Sequence, residues 1–132
     1  MATTNGTHFE FMLRVETAGI SHLYPNVREA LVGVGYEMID TVDVMRVLER
    51  LIAASIDRDA KRLQVRVHTL PRRTHIKVID RRRLNPSAAL PCDIASREIA
   101  RAWGARPVRG EAGLELWAIV DRRRASDRMP AA

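Results

Sequence analysis

Apolar and polar residues alternate along four stretches of the chain, and a period of two predicts strands that bury one face. The four stretches are HFEFMLRVE, KRLQVRVHTL, HIKVID and LELWAIVD. A turn at LPRRT joins the second stretch to the third, which predicts an antiparallel hairpin. In the third stretch, strict alternation places Asp80 on the same side as Ile76 and Val78, so its carboxylate is predicted to face the helices rather than water.

Two further stretches, one before and one after the hairpin, have the spacing of amphipathic helices. The earlier one is predicted to begin at Pro25 or Asn26 and to end at the glycines Gly33 and Gly35. The later one, DIASREIARAWG, is predicted to begin at Pro91 or Asp93 and to end at the Trp-Gly pair of residues 103–104.

A third helical stretch, VDVMRVLERLIAAS, lies between them and is predicted to be the central buried helix. Asp40 or Thr41 is the predicted N-cap, because both side chains can accept a hydrogen bond from the first turn. The residues predicted to share its buried face are Val44, Leu48, Leu51, Ile52 and Ser55.

The predicted order is strand, helix, helix, strand, strand, helix, strand. Strands paired in hairpins with helices grouped between them favour an α+β, two-layer α/β sandwich. We expect a mixed, mostly antiparallel sheet with three helices on one face and a polar opposite face. Residues 9–121 are predicted to form one domain, residues 1–8 a disordered N-terminus and residues 122–132 a basic, disordered tail.

The length of 132 residues is enough for one hydrophobic core and too short for two. No apolar run approaches the roughly 20 residues that span a bilayer, and the start MATTNGTHFEF lacks the pattern of a signal peptide. Cys92 is the only cysteine, which is typical of a protein from a reducing compartment. These features predict a cytoplasmic protein.

The chain is strongly basic, with a formal net charge of +6 and an isoelectric point near 10.6. Arginine runs occur at residues 72–73, 81–83 and 122–124. Guanidinium groups bind phosphates, so the runs suggest contact with nucleic acid, but solvated loop ends or a surface for an acidic protein partner explain them equally. The runs are short and lack interleaved aromatic residues, which disfavours nucleic acid.

Candidate chemistry is sparse. The four histidines are scattered, Cys92 has no partner at metal-ligand spacing, and neither a Gly-x-Ser-x-Gly motif nor a glycine-rich phosphate loop is present. Two acids remain, Glu49 on the central helix and Asp80 at a strand end, and both are predicted to face the space between the layers. A buried acid needs a ligand, a proton or a partner, and a salt bridge with an arginine is the alternative to a functional role.

Three segments, in this order, carry a resemblance to a known family: ERLIAA on the central helix, VID at the end of the third strand, and WGARPVRGEAGLELW near the end of the chain. They are similar to motifs of the small anti-sigma-factor and serine-kinase-like members of the histidine-kinase-type ATPase superfamily, which has the Bergerat fold. The likeness covers roughly residues 9–121. It implies a Bergerat-like fold, with Glu49 at the position of the kinase base and Asp80 at the position that reads adenine.

The residues that would hold the phosphates depart from this family. Ala53 stands where the family has the asparagine that binds magnesium, and Arg81, Arg82 and Arg83 replace a loop of small residues. Residues 90–93 lack the glycines of the family's Gly-Arg-Gly-Leu segment, and Leu114 replaces a lysine. The resemblance therefore implies a member that keeps the architecture and has lost phosphoryl transfer, which depends on positioning and charge neutralisation.

These observations predict a cytoplasmic regulatory protein-binding module with a degenerate nucleotide site, no cofactor and no kinase activity. The resemblance implies a partner such as a sigma factor or an anti-anti-sigma protein, or a second copy of the chain. The first alternative is a serine kinase that binds ATP with magnesium, with Glu49 as base, Asp80 on adenine, and Arg81, Arg82 and Arg83 on the phosphates. The second alternative is a basic nucleic-acid-binding protein.

Overall fold

The computed structural model describes residues 6–82, 99–108 and 112–123 of the chain. The described residues form five strands and two helices: β1 (Thr7–Arg14), α1 (Thr17–Gly33), α2 (Met38–Asp57), β2 (Arg62–Thr69), β3 (Arg73–Asp80), β4 (Ala100–Pro107) and β5 (Leu114–Asp121). All four of the stretches with a period of two are strands, and β2 and β3 form the predicted hairpin.

The five strands form one sheet in the order β1-β2-β3-β5-β4, and every described pairing is antiparallel. Residues in register across the sheet share a face, because side chains alternate along each strand. One such row runs through Phe9, Val67, Ile76, Ala118 and Trp103. It belongs to the face on which the core is built.

Helix α2 supplies the largest part of that core. Its predicted buried face is confirmed, because Val44, Leu48, Leu51 and Ile52 are at most 1% exposed and Ser55 is buried as well. It packs on the central strands β3 and β5. Burying large aliphatic side chains of this kind is worth about 1.5–3 kcal/mol each, so α2 is the main source of fold stability.

The predicted start of α2 is wrong, since the N-cap residue is Glu37, three residues before Asp40 and four before Thr41. Thr41 lies inside the first turns, where its hydroxyl donates to the carbonyl oxygen of Glu37 at 2.9 Å. Asp40 and Thr41 are both buried in the helix. A threonine can bond the carbonyl four residues back as readily as it can cap a helix, and the sequence pattern does not separate the two cases.

The predicted start of α1 is also wrong, because the helix begins at Thr17 and contains Pro25 in its interior. A proline there removes one backbone donor and is ordinarily costly. Burial of Leu23, Val27 and Leu31 on both sides of the proline opposes that cost. The predicted end at Gly33 is confirmed, and Gly35 adopts a φ of 92° as the chain turns towards α2.

Neither of the two described helices is both long and apolar enough to cross a lipid bilayer.

The predicted Bergerat-like sandwich with three helices on one face is wrong. The described residues contain two helices and a sheet that is antiparallel throughout, so the architecture is α+β and dominated by the sheet. The segment predicted to end the third helix, residues 100–104, belongs instead to strand β4. The rest of that predicted helix, up to residue 98, lies outside the described residues.

Pairing with β5 explains why this segment is extended. Leu116, Ala118 and Val120 of β5 are buried. Pairing with β4 satisfies the backbone groups along the edge of β5 that faces away from β3. The helical preference of the alanine- and arginine-rich segment is a weak local bias that such tertiary pairing overrides. Gly104 is a second reason, since it lies opposite Trp117 in the register.

A Cβ atom at Gly104 would lie 2.9 Å from Cζ2 of the Trp117 indole. The ring therefore rests on the bare backbone of β4, which only a glycine at this position permits. The cross-strand contact between Gly104 and Trp117 is thus a reason for this segment to form a strand rather than the end of a helix.

The contact predicts a coupled effect in a double-mutant cycle. Gly104→Ala should destabilise the protein by about 1–3 kcal/mol, because the methyl group displaces the indole. In a Trp117→Ala background the same substitution should cost little, which gives a coupling of about 1 kcal/mol or more in urea unfolding. Equal costs of Gly104→Ala in the two backgrounds would contradict this packing.

Candidate functional site

Asp80, at the end of β3, is buried as predicted, and it is fully engaged by Arg82. The Arg82 guanidinium donates from Nε to both carboxylate oxygens at 3.1 and 3.0 Å, and from Nη2 to Oδ2 at 2.7 Å. The backbone N–H of Arg82 adds a bond to Oδ1 at 3.1 Å. The hydrogen bonds to Asp80 raise the pKa of Arg82 above its already high ordinary value, so the guanidinium stays charged.

Arg82 also ties this turn to the end of α2. Its Nη2 donates to the carbonyl oxygen of Arg58 at 2.7 Å. The salt bridge with an arginine, which the sequence offers as the alternative to a functional role, is therefore confirmed for Asp80. Each carboxylate oxygen already accepts two hydrogen bonds, so the group has little capacity left to read an adenine amino group.

Gly113 supports the same turn from the side of β5. It has a φ of 135°, and a Cβ atom there would lie 2.5 Å from the carbonyl oxygen of Asp80 and 2.8 Å from Cα of Arg81. Only glycine fits this conformation and this close approach. A glycine that the family resemblance associates with a closing strand thus has a local structural reason.

Arg81 turns to the other face of the sheet. Its Nε and Nη2 donate to Oε1 of Gln64 at 3.2 and 2.9 Å, and Gln64 in turn donates to Glu10. A cleft of about 340 Å³ opens at this end of the sheet, and its lining includes Lys61, Arg62, Arg81 and Arg82. Arg83, the third arginine of the run, lies outside the described residues.

Glu49 does not lie where the sequence predicts. It is exposed on the outer face of α2, whereas Asp80 is buried under the sheet. The charge of Glu49 contributes, after burial, to raising the pKa of Tyr24, which places this carboxylate beside α1. The prediction that Glu49 and Asp80 face one space between the layers is therefore wrong, because Glu49 falls outside the apolar face of its helix.

The position matched to the family's magnesium ligand is likewise on the outside. Ala53 is exposed one turn beyond Glu49 and carries no ligating atom. Among the described residues, no group of three or more His, Cys, Asp or Glu side chains could hold a metal ion. The described residues thus bring together Asp80, Arg81 and Arg82, and they leave Glu49 apart.

A different feature stands out at the turn between α1 and α2. Large apolar side chains are exposed there within eleven residues of sequence: Val32 (59%), Val34 (38%), Met38 (82%), Ile39 (39%) and Val42 (42%). We call these five residues the helix-turn patch. Monomeric proteins seldom expose contiguous apolar groups of this kind, which typically mark interaction surfaces.

Sequence periodicity missed the helix-turn patch because the helix boundaries were displaced. With α2 beginning at Met38, the residues at 38, 39 and 42 fall on one side of its first turns and away from the core. The signal present in the sequence was an apolar residue on both sides of the GlyTyrGlu turn.

Comparison with models of known protein families finds no match for the chain, and a search of curated proteins finds none either. The resemblance to the histidine-kinase-type ATPases therefore stays a prediction.

The Asp80–Arg82 pair predicts an asymmetric cost of mutation. Arg82→Ala should destabilise the protein by about 2–3 kcal/mol, because it leaves a buried carboxylate without its guanidinium donors. Urea denaturation measures the change, and removing Asp80 as well should restore part of the loss. Arg101→Ala is the matched control, since its pair with Asp121 is 61% and 52% exposed; that pair is worth about 0–1 kcal/mol. Equal losses in Arg82→Ala and Arg101→Ala would contradict a structural role for Arg82.

Proposed function

We propose that the chain is a cytoplasmic regulatory module that binds a protein partner through the helix-turn patch and transfers no phosphate. The observation that carries this proposal is the cluster of exposed apolar side chains, with Met38 82% exposed at its centre. Removing such groups from water is the dominant favourable term in protein association. We therefore infer that these exposed side chains are used for binding.

The state of the candidate nucleotide site supports a non-catalytic protein. Phosphoryl transfer needs a cation held against the phosphates and a base beside the acceptor. Here the carboxylate of Asp80 is saturated by Arg82, Glu49 is exposed on the outer face of α2, and Ala53 offers no ligand. We therefore propose that no nucleotide or magnesium is required for binding the partner.

The charged side chains that α1 and α2 expose are balanced in sign. The two helices carry five acidic and three basic residues, but Asp40 and Asp43 are buried, which leaves three exposed charges of each sign. We therefore propose that the helix-turn patch binds its partner through apolar contacts rather than through net charge. Within the family that the sequence resembles, a sigma factor, an anti-anti-sigma protein or a second copy of the chain would be the partner.

Calorimetric titration tests the absence of a nucleotide function. We expect no heat of binding up to millimolar ATP with magnesium. Asp80, which stands at the position that reads adenine in the family that the sequence resembles, is already hydrogen-bonded to Arg82. An Arg82→Met variant is the informative comparison, since it frees the carboxylate of Asp80. Micromolar, magnesium-dependent binding by the unaltered protein would overturn the proposal in favour of the kinase alternative.

Substitutions along the exposed side of α2 test the helix-turn patch. A photo-crosslinking amino acid at Met38, introduced in the host cell, should capture one defined protein, which is then purified. Val42→Glu should weaken binding of that protein at least tenfold, because a charge placed within an apolar interface is left unpaired. Sedimentation of the chain alone shows whether the captured protein is a second copy.

Ala53→Glu is the matched control for Val42→Glu. It places the same side chain on the exposed side of the same helix, about 16 Å further along the axis. We expect unchanged affinity in this control. Equal affinities of the two variants would contradict binding through the helix-turn patch.

A further inference from the structure

The face of the sheet opposite α1 and α2 has a composition of its own. Both described helices contact the sheet through the face that carries Leu63, Val65 and Val67. The other face, which we call the open face, is defined by alternate residues of the five strands. Its two most accessible rows are His8–His68–His75 and Glu10–Arg66–Lys77–Trp117.

Positive charge is concentrated on the open face. It carries seven basic side chains and three acidic ones: Arg14, Arg62, Arg66, Arg73, Lys77, Arg101 and Arg106 against Glu10, Glu115 and Asp121. Each of the three acids already pairs with an arginine. Arg14, Arg62, Arg73 and Lys77 make no ion pair within the described part of the chain, so they remain available to an anion.

One feature of this face is unfavourable without an anion. Arg14 and Arg62 lie directly opposite one another across β1 and β2, and like charges in that position destabilise a sheet. A bound polyanion would relieve this repulsion. The pKa of His75 is lowered by burial and by the charges of Arg73, His68 and Lys77, which agrees with a cationic environment on this face.

Flat rings are interleaved with these cations. The His8 and His68 rings are stacked, with centroids 3.7 Å apart and planes 17° apart, and His75 meets His68 edge-on at 6.0 Å. The Trp117 ring packs against Gly104, with the Arg106 guanidinium 5.7 Å from its ring centroid. His8 is exposed and Trp117 is half-buried, so both present ring surface to a ligand.

We propose that the open face binds single-stranded nucleic acid, with its cations on the phosphates and its rings against the bases. Exposed bases stack on aromatic side chains at the surface of a sheet, and a positively charged surface follows the backbone. The five strands give the face a width of about 19 Å, which suits a few extended nucleotides. A duplex hides its base faces, so its affinity would come from phosphate contacts alone.

This inference does not depend on the proposed function, because it concerns the opposite side of the molecule from the helix-turn patch. An acidic protein would satisfy the cations equally well, but its acidic side chains supply no bases to stack on the His8 and Trp117 rings. Contact with the rings therefore distinguishes the two kinds of partner. The experiment has to measure ring contacts separately from attraction by charge.

Fluorescence anisotropy with labelled 20-nucleotide oligomers of uridine and of thymidine provides the first measurement. We expect binding at 50 mM salt that weakens with salt, with a log–log slope of about −3 if four phosphates are contacted. In a Trp103→Phe background, where Trp117 is the sole tryptophan, binding should also quench the intrinsic fluorescence. No binding of either oligomer at 50 mM salt would overturn the proposal.

Two pairs of variants separate the site from general charge. Lys77→Glu should weaken binding at least tenfold, whereas Arg50→Glu, which makes the same change of charge on the exposed side of α2, should have less than a twofold effect. His8→Ala should weaken binding about tenfold by loss of stacking, and His22→Ala, on exposed α1, should not. Circular dichroism establishes that each variant is folded.

Three further outcomes of these binding experiments test the proposal. Equal losses in Lys77→Glu and Arg50→Glu would show attraction to net charge alone and would overturn the proposal. Duplex or heparin bound as tightly as the single strand, without quenching of Trp117, would show a polyanion surface without base contacts and would overturn it too. Stronger binding of the single strand with quenching supports it.

Discussion

The fold depends on the burial of one apolar stripe of α2 against one face of the strands β3 and β5. The stripe and that face share residues that are almost completely inaccessible, among them Leu48, Leu51, Ile76 and Leu116. Two polar contacts fix how the helix lies on the sheet. Asp43 at the start of α2 is bonded by Arg123, at 2.7 and 2.6 Å, and Arg82 at the end of β3 bonds the carbonyl that follows the helix. The helix is thereby tied to the sheet at both of its ends.

This constraint also explains where the polar groups go. A strand has only two faces, and most apolar residues of the five strands lie on the face that meets α1 and α2, whereas Met12, Ile79, Trp117 and Ile119 lie on the other. The charged and imidazole side chains are consequently gathered on the other face, where cross-strand neighbours bring residues distant in sequence side by side, as with His8, His68 and His75. Alternation along the strands thus explains why the charged side chains share one face. It does not explain why seven of them are basic and only three are acidic.

The periodicity of the sequence was sufficient to predict four strands, the hairpin, the buried side of α2 and the burial of Asp80, because each depends on local alternation. The prediction failed for residues 100–104. These residues form a strand because they pair with β5 and because Gly104 leaves room for the Trp117 ring. It failed for Glu49 because this carboxylate lies just outside the apolar stripe, and a shift of one position around a helix moves a side chain by about 100°. The engagement of Asp80 by Arg82 was predicted only as one of several possible pairings, since the sequence contains many arginines.

The open face shows why a search along the sequence for interleaved aromatic and basic residues is insufficient. The arginine runs at residues 72–73, 81–83 and 122–124 contain no rings, and on that ground the sequence disfavoured nucleic acid. In the sheet, however, basic and aromatic residues of neighbouring strands lie side by side. Lys77 lies between Arg66 of one neighbouring strand and Trp117 of the other. Arg82 and Arg122, by contrast, bond carbonyl oxygens of the chain itself, at Arg58 and Leu70. The runs that attract attention in the sequence therefore serve the fold in part, and the cations available to a ligand are single residues that only the register of the strands brings together.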